Sequence, residues 1–119
     1  MLFRSPETES LLLTVQPNLP IHKGYVLNVK DVPVDGFWSL AMYNKEGYFN
    51  ENNYDSYGFG DRTAKKNADG SITLHFGGAP SSINYIPITE GWNYVVRMYR
   101  PRAELLEGTW TFPTFEAIE

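Results

Sequence analysis

The chain has 119 residues, a length typical of one domain, and 42% of them are hydrophobic and 15% aromatic. This composition excludes an intrinsically disordered chain, because enough apolar side chains are available to form a core. The net charge of -4 argues against nucleic acid or an anionic membrane as partner, since Lys and Arg are not in excess to neutralise phosphates. The absence of cysteine excludes disulfides, thiolate metal sites and cysteine nucleophiles.

The N-terminal residues show no targeting or membrane signal. The aliphatic run Leu11–Val15 is far shorter than the roughly 20 apolar residues that cross a bilayer, and no basic stretch directly precedes it. We therefore predict neither a signal peptide nor a transmembrane segment. The sequence does not indicate a cellular compartment. Residues 1–20 hold three prolines and are predicted to form an N-terminal arm with a candidate edge strand at 11–15. Residues 21–119 are predicted to form a single β-sandwich domain.

Further along the chain, apolar and polar residues alternate with the period of a β-strand. The alternating segments are Tyr25–Lys30, Phe37–Tyr43, Ser71–Phe76 and Trp92–Arg100. Each segment has one apolar row that we expect to face the core. These rows are Tyr25, Leu27 and Val29; Trp38, Leu40 and Met42; Ile72, Leu74 and Phe76; and Tyr94, Val96 and Met98.

Turn signals separate the predicted strands. The Asp69-Gly70 pair favours a tight hairpin, because glycine readily adopts positive φ. Residues 102–107 are predicted to form one or two helical turns that end at Gly108, with Trp110 and Phe112 folding back onto the sheets. Residues 48–63 are predicted to form an ordered excursion from the sheets, that is, an irregular segment rather than a regular strand. Short strands with frequent turns predict an all-β fold, an antiparallel β-sandwich.

Several stretches, in this order, resemble one known family. They are FWSLAMYN (37–44), SYGFGDRT (56–63), NADGSITLHFG (67–77), NYIPITEGWNYVVRMYRP (84–101) and LLEGTWTFP (105–113). Together they resemble the C-terminal domain, called domain of unknown function 1214, of a group of mostly bacterial two-domain proteins. The resemblance covers residues 25–115 and implies a jelly-roll-like β-sandwich without established catalytic residues. In place of the family's N-terminal partner domain, this chain has only about 20 residues.

The sequence GFGDR at 58–62 is the first candidate site. Its two glycines free the backbone, and Asp61 beside Arg62 provides a pair of charged groups. The segment lacks the third glycine and the strand-to-helix context of a dinucleotide-binding loop. We therefore favour a structural turn over a ligand site, and no nucleotide or other cofactor is predicted.

Arg97 is the second candidate, because it lies in a predicted strand on the face opposite the core row. If that face is covered, the guanidinium needs a carboxylate partner, for which Asp61 and Asp55 are candidates. This ion pair is the favoured interpretation. If the face is open, an aromatic and polar platform for a sugar or a carboxylate results. That platform comprises Arg97, Tyr99, Tyr43, Ser39 and His75.

No metal site or catalytic motif is predicted. The two histidines, His22 and His75, do not have the spacing of metal ligands. The oxygen-rich run Asn50–Asp55 lacks the glycine and the distal glutamate of an EF-hand loop. A Gly-x-Ser-x-Gly nucleophile motif is also absent.

These observations favour a non-catalytic module that binds a partner domain or a small polar ligand resembling a carbohydrate or a carboxylate. The candidate ligand-binding residues are Ser39, Tyr43, Asp61, Arg62, His75, Arg97 and Tyr99. The alternative is one wall of an enzyme active site, in which Asp61, Arg62, Arg97 and Tyr99 position the substrate. The expected partners are a separate domain or a second copy of the chain in a homo-oligomer, and neither nucleic acid nor membrane.

Overall fold

The structure, a computed structural model, describes residues 2–5, 10–17, 19–21, 23–45 and 58–118, which form two β-sheets and one short helix. The first sheet contains β1 (Leu2–Ser5), β2 (Ser10–Val15), β4 (Trp38–Tyr43), β5 (Gly58–Gly60) and β8 (Asn93–Tyr99). The second contains β3 (Gly24–Val29), β6 (Ile72–Phe76), β7 (Tyr85–Ile86) and β9 (Glu116–Ile118). Helix α1 (Ala103–Glu107) lies between β8 and β9 in the sequence.

The strand order is β1-β2-β8-β4-β5 in the five-stranded sheet and β7-β6-β3-β9 in the four-stranded sheet. All neighbours are antiparallel except β6 and β7, which pair in parallel. Strand β8 is the centre of its sheet, with β2 on one side and β4 on the other. The predicted all-β, sandwich-like fold is therefore confirmed.

The core lies where the two sheets face each other, and all four predicted apolar rows are buried in it. Around Trp92, the rings of Tyr25, Phe76, Tyr94 and Phe115 have centroids 5.4 to 6.4 Å from the indole. Burial of one such side chain contributes about 1.5 to 3 kcal/mol. The same burial raises the pKa of Tyr94 to about 12, so its phenol stays neutral at physiological pH.

The predicted turn at Asp69-Gly70 is present, with Gly70 at a φ of +87° and its N–H donating to the Asn67 carbonyl oxygen at 3.0 Å. The segment before the turn is not a strand and forms only the isolated bridge between Lys66 and Ile72. Strand β6 pairs with β3 and β7 instead.

The C-terminal segment follows the prediction. Helix α1 ends at Gly108, which adopts the left-handed conformation with a φ of +78°. Beyond the helix the chain returns to the core, where Phe112 packs edge-on against Trp38 with ring centroids 5.7 Å apart. It then adds β9 at the edge of the four-stranded sheet.

Two regions of the five-stranded sheet go beyond the sequence prediction. Residues 10–15 form β2, which lies between β1 and β8 and is therefore not the edge strand predicted at 11–15. The GFG of residues 58–60 is the edge strand β5 rather than a turn. A Cβ atom at Gly58 would collide with the Leu40 carbonyl oxygen, and one at Gly60 with that of Trp38. The absence of a side chain at both glycines therefore permits β5 to lie close to β4. The other part of the predicted excursion, residues 48–57, lies outside the described residues.

Candidate functional site

The outer face of the five-stranded sheet carries the side chains that alternate with the core rows. On β8 and β4 these are Asn93, Val95, Arg97 and Tyr99, and Ser39, Ala41 and Tyr43, all half-buried. The strand register places Arg97 between Leu12 of β2 and Ser39 of β4. Because β8 is the central strand, Arg97 lies near the middle of this face.

Arg97 has no charged partner in the part of the chain that the structure describes. The predicted ion pair with Asp61 is wrong, and neither an ion pair nor a hydrogen bond joins Arg97 to another described residue. The second predicted partner, Asp55, lies outside the described residues. A half-buried guanidinium without a carboxylate is unfavourable, because burial removes part of its hydration without replacing it. Arg97 is therefore available to an anion from outside the described part of the chain.

Asp61 lies in the turn that directly follows β5 and forms no ion pair with Arg97. It borders a cavity of about 200 Å³ together with Val29 and Ile72 of the four-stranded sheet, and it also lines the outer surface along β4 and β5. The Oδ1 atom of Asp61 is shielded from solvent and has no hydrogen-bond partner among the described residues.

A trough of about 320 Å³ lies along β4 and β5, with a mostly apolar surface. It is lined by residues 37–41 and 58–63 and by none from the four-stranded sheet, so it faces away from the interior. The register pairs Ser39 with Gly60 and Ala41 with Gly58, so only small side chains lie at these paired positions. The neighbouring strand β8 carries the larger Arg97 beside Ser39.

A stack of three side chains stands at one end of the trough. The Arg62 guanidinium lies 4.5 Å from the centroid of the Phe37 ring, which stacks on Tyr99 at 4.4 Å. The attraction of a cation to an aromatic face holds the exposed Arg62 in this position. Arg62 forms no ion pair with a described residue. The trough therefore has two guanidinium groups nearby, from Arg62 and Arg97, and neither is neutralised by a described carboxylate.

The candidate residues thus fall into separate groups. Ser39, Arg62, Arg97 and Tyr99 lie on the outer face of the five-stranded sheet, and Tyr43 lies at the far end of β4 on the same face. His75 is part of the other sheet, where its Nδ1 is 2.6 Å from the Ile83 carbonyl oxygen.

Sequence reasoning missed the trough itself. The available signal was the small residues of two segments, Ser39-x-Ala41 and Gly58-x-Gly60, which become a groove only when the two strands are neighbours. Which strands pair is a long-range property that neither segment shows alone.

The described residues contain no group of three or more His, Asp or Glu side chains arranged to hold a metal ion, and no helix long and apolar enough to span a bilayer. His22 and the segment Asn50–Asp55 lie outside the described residues.

The fold defines an all-β, sandwich-like protein. Its sequence belongs to the family of proteins of unknown function DUF1214, whose family model matches residues 16–103. The comparison with curated proteins gives no match.

Two solved structures share the fold. The VPA0106 protein from Vibrio parahaemolyticus is 22% identical, with a TM-score of 0.81 over 96% of this chain and 32% of that one. An uncharacterised protein from Burkholderia cenocepacia is 18% identical, with a TM-score of 0.67 over 97% of this chain and 31% of that one. The chain therefore spans about a third of the length of each solved chain. At these identities the likeness shows the fold alone.

Proposed function

We propose that this chain is a non-catalytic binding module that takes a carboxylate-bearing ligand on the outer face of its five-stranded sheet. The observation that carries the proposal is the half-buried Arg97, which has no carboxylate partner among the described residues and lies beside an apolar trough. A guanidinium can donate two parallel hydrogen bonds to a carboxylate, and this charge-assisted contact fixes the position of the anion.

The shape and surface of the trough favour a flat apolar group attached to that carboxylate. Its floor is formed by Ser39, Ala41 and the two glycines of β5, so few hydroxyl or amide groups are available to a sugar. A volume of about 320 Å³ falls at the lower end of the roughly 300 to 1,000 Å³ typical of small-molecule sites. Between the two ligand classes expected from the sequence, a carboxylate therefore fits better than a carbohydrate.

A second candidate, the docking of a neighbouring domain, is favoured by the comparisons. The same fold occupies about a third of two longer chains, so other parts of those proteins are available to contact it. In this second proposal, the chain corresponds to the C-terminal, jelly-roll-like domain of two-domain proteins. An acidic side chain of the partner domain then pairs with Arg97. The chemistry at Arg97 is the same in both cases.

The enzyme alternative is not favoured by the geometry. It requires Asp61, Arg62, Arg97 and Tyr99 to converge on one substrate. Asp61 and Arg62 both line the trough, but the Oδ1 atom of Asp61 is shielded from solvent and Asp61 forms no ion pair with Arg97.

Isothermal titration calorimetry with phenylacetate tests the proposal, with phenylacetamide as the neutral probe of the same shape. A charge-assisted contact is worth about 1.5 to 3 kcal/mol, so we expect phenylacetamide to bind about 10- to 150-fold more weakly. The substitution Arg97→Gln should weaken phenylacetate binding by a similar factor. Equal affinity of both probes, or no binding of phenylacetate, would contradict the proposal.

Arg100→Gln provides the matched control. Arg100 is exposed beyond the end of β8 and does not line the trough, so its substitution should leave phenylacetate binding unchanged. A thermal melt of each variant shows whether it is folded. If both Arg→Gln variants weakened binding equally, the attraction would come from general positive charge rather than from a contact with Arg97.

A further inference from the structure

A second groove lies between the edges of the two sheets. It has a volume of about 510 Å³ and is lined by Phe59 of the edge strand β5 and by Tyr85 of the edge strand β7. The lining is completed by Lys65, Pro80, Ser81, Ile83 and Asn84. Apart from Phe59, none of these residues lines the trough beside Arg97, so the groove and the trough are separate surfaces.

Hydrogen bonds hold the segment 79–85, which forms one wall of the groove. A turn in it is closed by the N–H of Ser82, which donates to the Ala79 carbonyl oxygen at 3.0 Å. The Ile83 carbonyl oxygen lies 2.6 Å from His75 Nδ1, and because a carbonyl can only accept, this nitrogen carries the proton. The wall is therefore formed before a ligand arrives, which reduces the cost of ordering the site on binding.

Lys65 is the cation of this groove, and its backbone is fixed to the same wall. The Asn84 side-chain amide accepts a hydrogen bond from the N–H of Lys65 and donates one to its carbonyl oxygen, both at 2.9 Å. Asn84 does so from a left-handed conformation with a φ of +50°, which asparagine adopts more readily than most residues. These bonds place Lys65 at the groove although it is 19 residues from Asn84 in the sequence.

The charge that lines the groove has one sign. Lys65 is exposed and forms no ion pair with a described residue, and no described Asp or Glu belongs to the lining. Phe59, Ile83 and Tyr85 are half-buried and present apolar surface beside this cation. The groove therefore combines an apolar wall with one cation that no described carboxylate neutralises, and this combination favours an anion carried on an apolar body.

We infer that the groove binds an aliphatic carboxylate of the fatty-acid type, with its carboxylate at the Lys65 ammonium and its chain along the apolar wall. An ammonium group is a compact charge with three donors, so it does not require the planar approach that a guanidinium favours. A flexible chain can follow the uneven wall that Pro80 and Ile83 form with the two aromatic rings. The volume of about 510 Å³ lies within the roughly 300 to 1,000 Å³ typical of small-molecule sites.

An NMR titration of the ¹⁵N-labelled chain with hexanoate tests this inference. We expect hexanoate to shift the amide signals of Lys65 and of residues 81–85 in a saturable way. Hexanamide is the neutral probe of the same shape. Because Lys65 is exposed, its contact with the carboxylate is modest, and hexanamide should bind about 2- to 5-fold more weakly. Propionate lacks three methylene groups of the chain and should bind at least about fivefold more weakly than hexanoate.

The substitution Lys65→Gln should weaken hexanoate binding about 2- to 5-fold and remove its advantage over hexanamide. Lys66→Gln is the matched control, because Lys66 is also exposed but does not line the groove, and it should leave hexanoate binding unchanged. A thermal melt of each variant shows whether it is folded.

Four results would overturn the inference: no saturable shift at residues 81–85, equal binding of hexanamide, equal binding of propionate, or equal weakening by the two Lys→Gln variants. Arg97→Gln separates the groove from the trough, since it should leave the shifts at residues 81–85 unchanged. Hexanoate shifts confined to Ser39 and Arg97 would overturn this inference alone. The carboxylate site at Arg97 is tested with phenylacetate, so either proposal can fail while the other stands.

Discussion

Replacing Arg97 by methionine should stabilise the isolated chain, although it removes the proposed binding contact. Methionine keeps most of the aliphatic stem of arginine, while the half-buried charge without a partner disappears. A fully buried lone charge costs several kcal/mol, but the partial exposure of Arg97 reduces this cost. We expect the free energy of unfolding to rise by about 0.5 to 1.5 kcal/mol.

Urea denaturation and thermal melting of the Arg97→Met variant measure this change. For a domain of 119 residues, each kcal/mol shifts the melting temperature by about 3 to 6 °C, so an increase of about 2 to 9 °C is expected. Arg100→Met, at an exposed position, should stay within about 0.5 kcal/mol of the unchanged chain. A lower melting temperature for Arg97→Met would mean that Arg97 stabilises the fold, and the reasoning about its missing partner would then fail.

Two further predictions concern the scaffold. The substitution Trp38→Ala should lower the free energy of unfolding, measured by urea denaturation, by about 3 to 5 kcal/mol. The reason is that Trp38 is only 4% exposed and packs edge-on against Phe112. An unchanged midpoint would refute its place in the core. Asn84→Ala should cost about 2 to 4 kcal/mol, because the Asn84 amide bonds both the N–H and C=O of Lys65 and the Thr73 carbonyl oxygen, at a φ of +50°. Asn84→Gly keeps the favourable φ, so a full recovery of stability by glycine would contradict the role of these hydrogen bonds.

The core of the fold was predictable from the sequence because it depends on local alternation. Trp38, Leu40 and Met42 are buried as their period indicates, and the same holds for the other three rows. The end of α1 at Gly108 was equally predictable, since a glycine with positive φ is a local signal. These features depend on neighbours in sequence and not on which strands meet.

The remaining parts of the fold required knowledge of the strand order. Strands β7 and β9 have two and three residues, too few for a periodic pattern, and they exist because longer strands offer them an edge. Strand β5 resembles a turn in the sequence, because its two glycines suit both structures.

The candidate site was predictable only where it depends on local alternation. Arg97 and Tyr99 lie on the outer face of their strand, as alternation indicates. The sequence could not show that Ser39 is beside Arg97, that His75 belongs to the other sheet, or that Asp61 reaches the cavity between the sheets. Each of these facts depends on which strands and turns meet in the folded chain.

A crystal structure of the chain with phenylacetate would test the central claim most directly. The account predicts the carboxylate within hydrogen-bonding distance of the Arg97 guanidinium and the phenyl ring over Ala41 and the glycines of β5. Phenylacetate bound at another surface, with Arg97 free of it, would contradict the assignment of this sheet face as the binding surface.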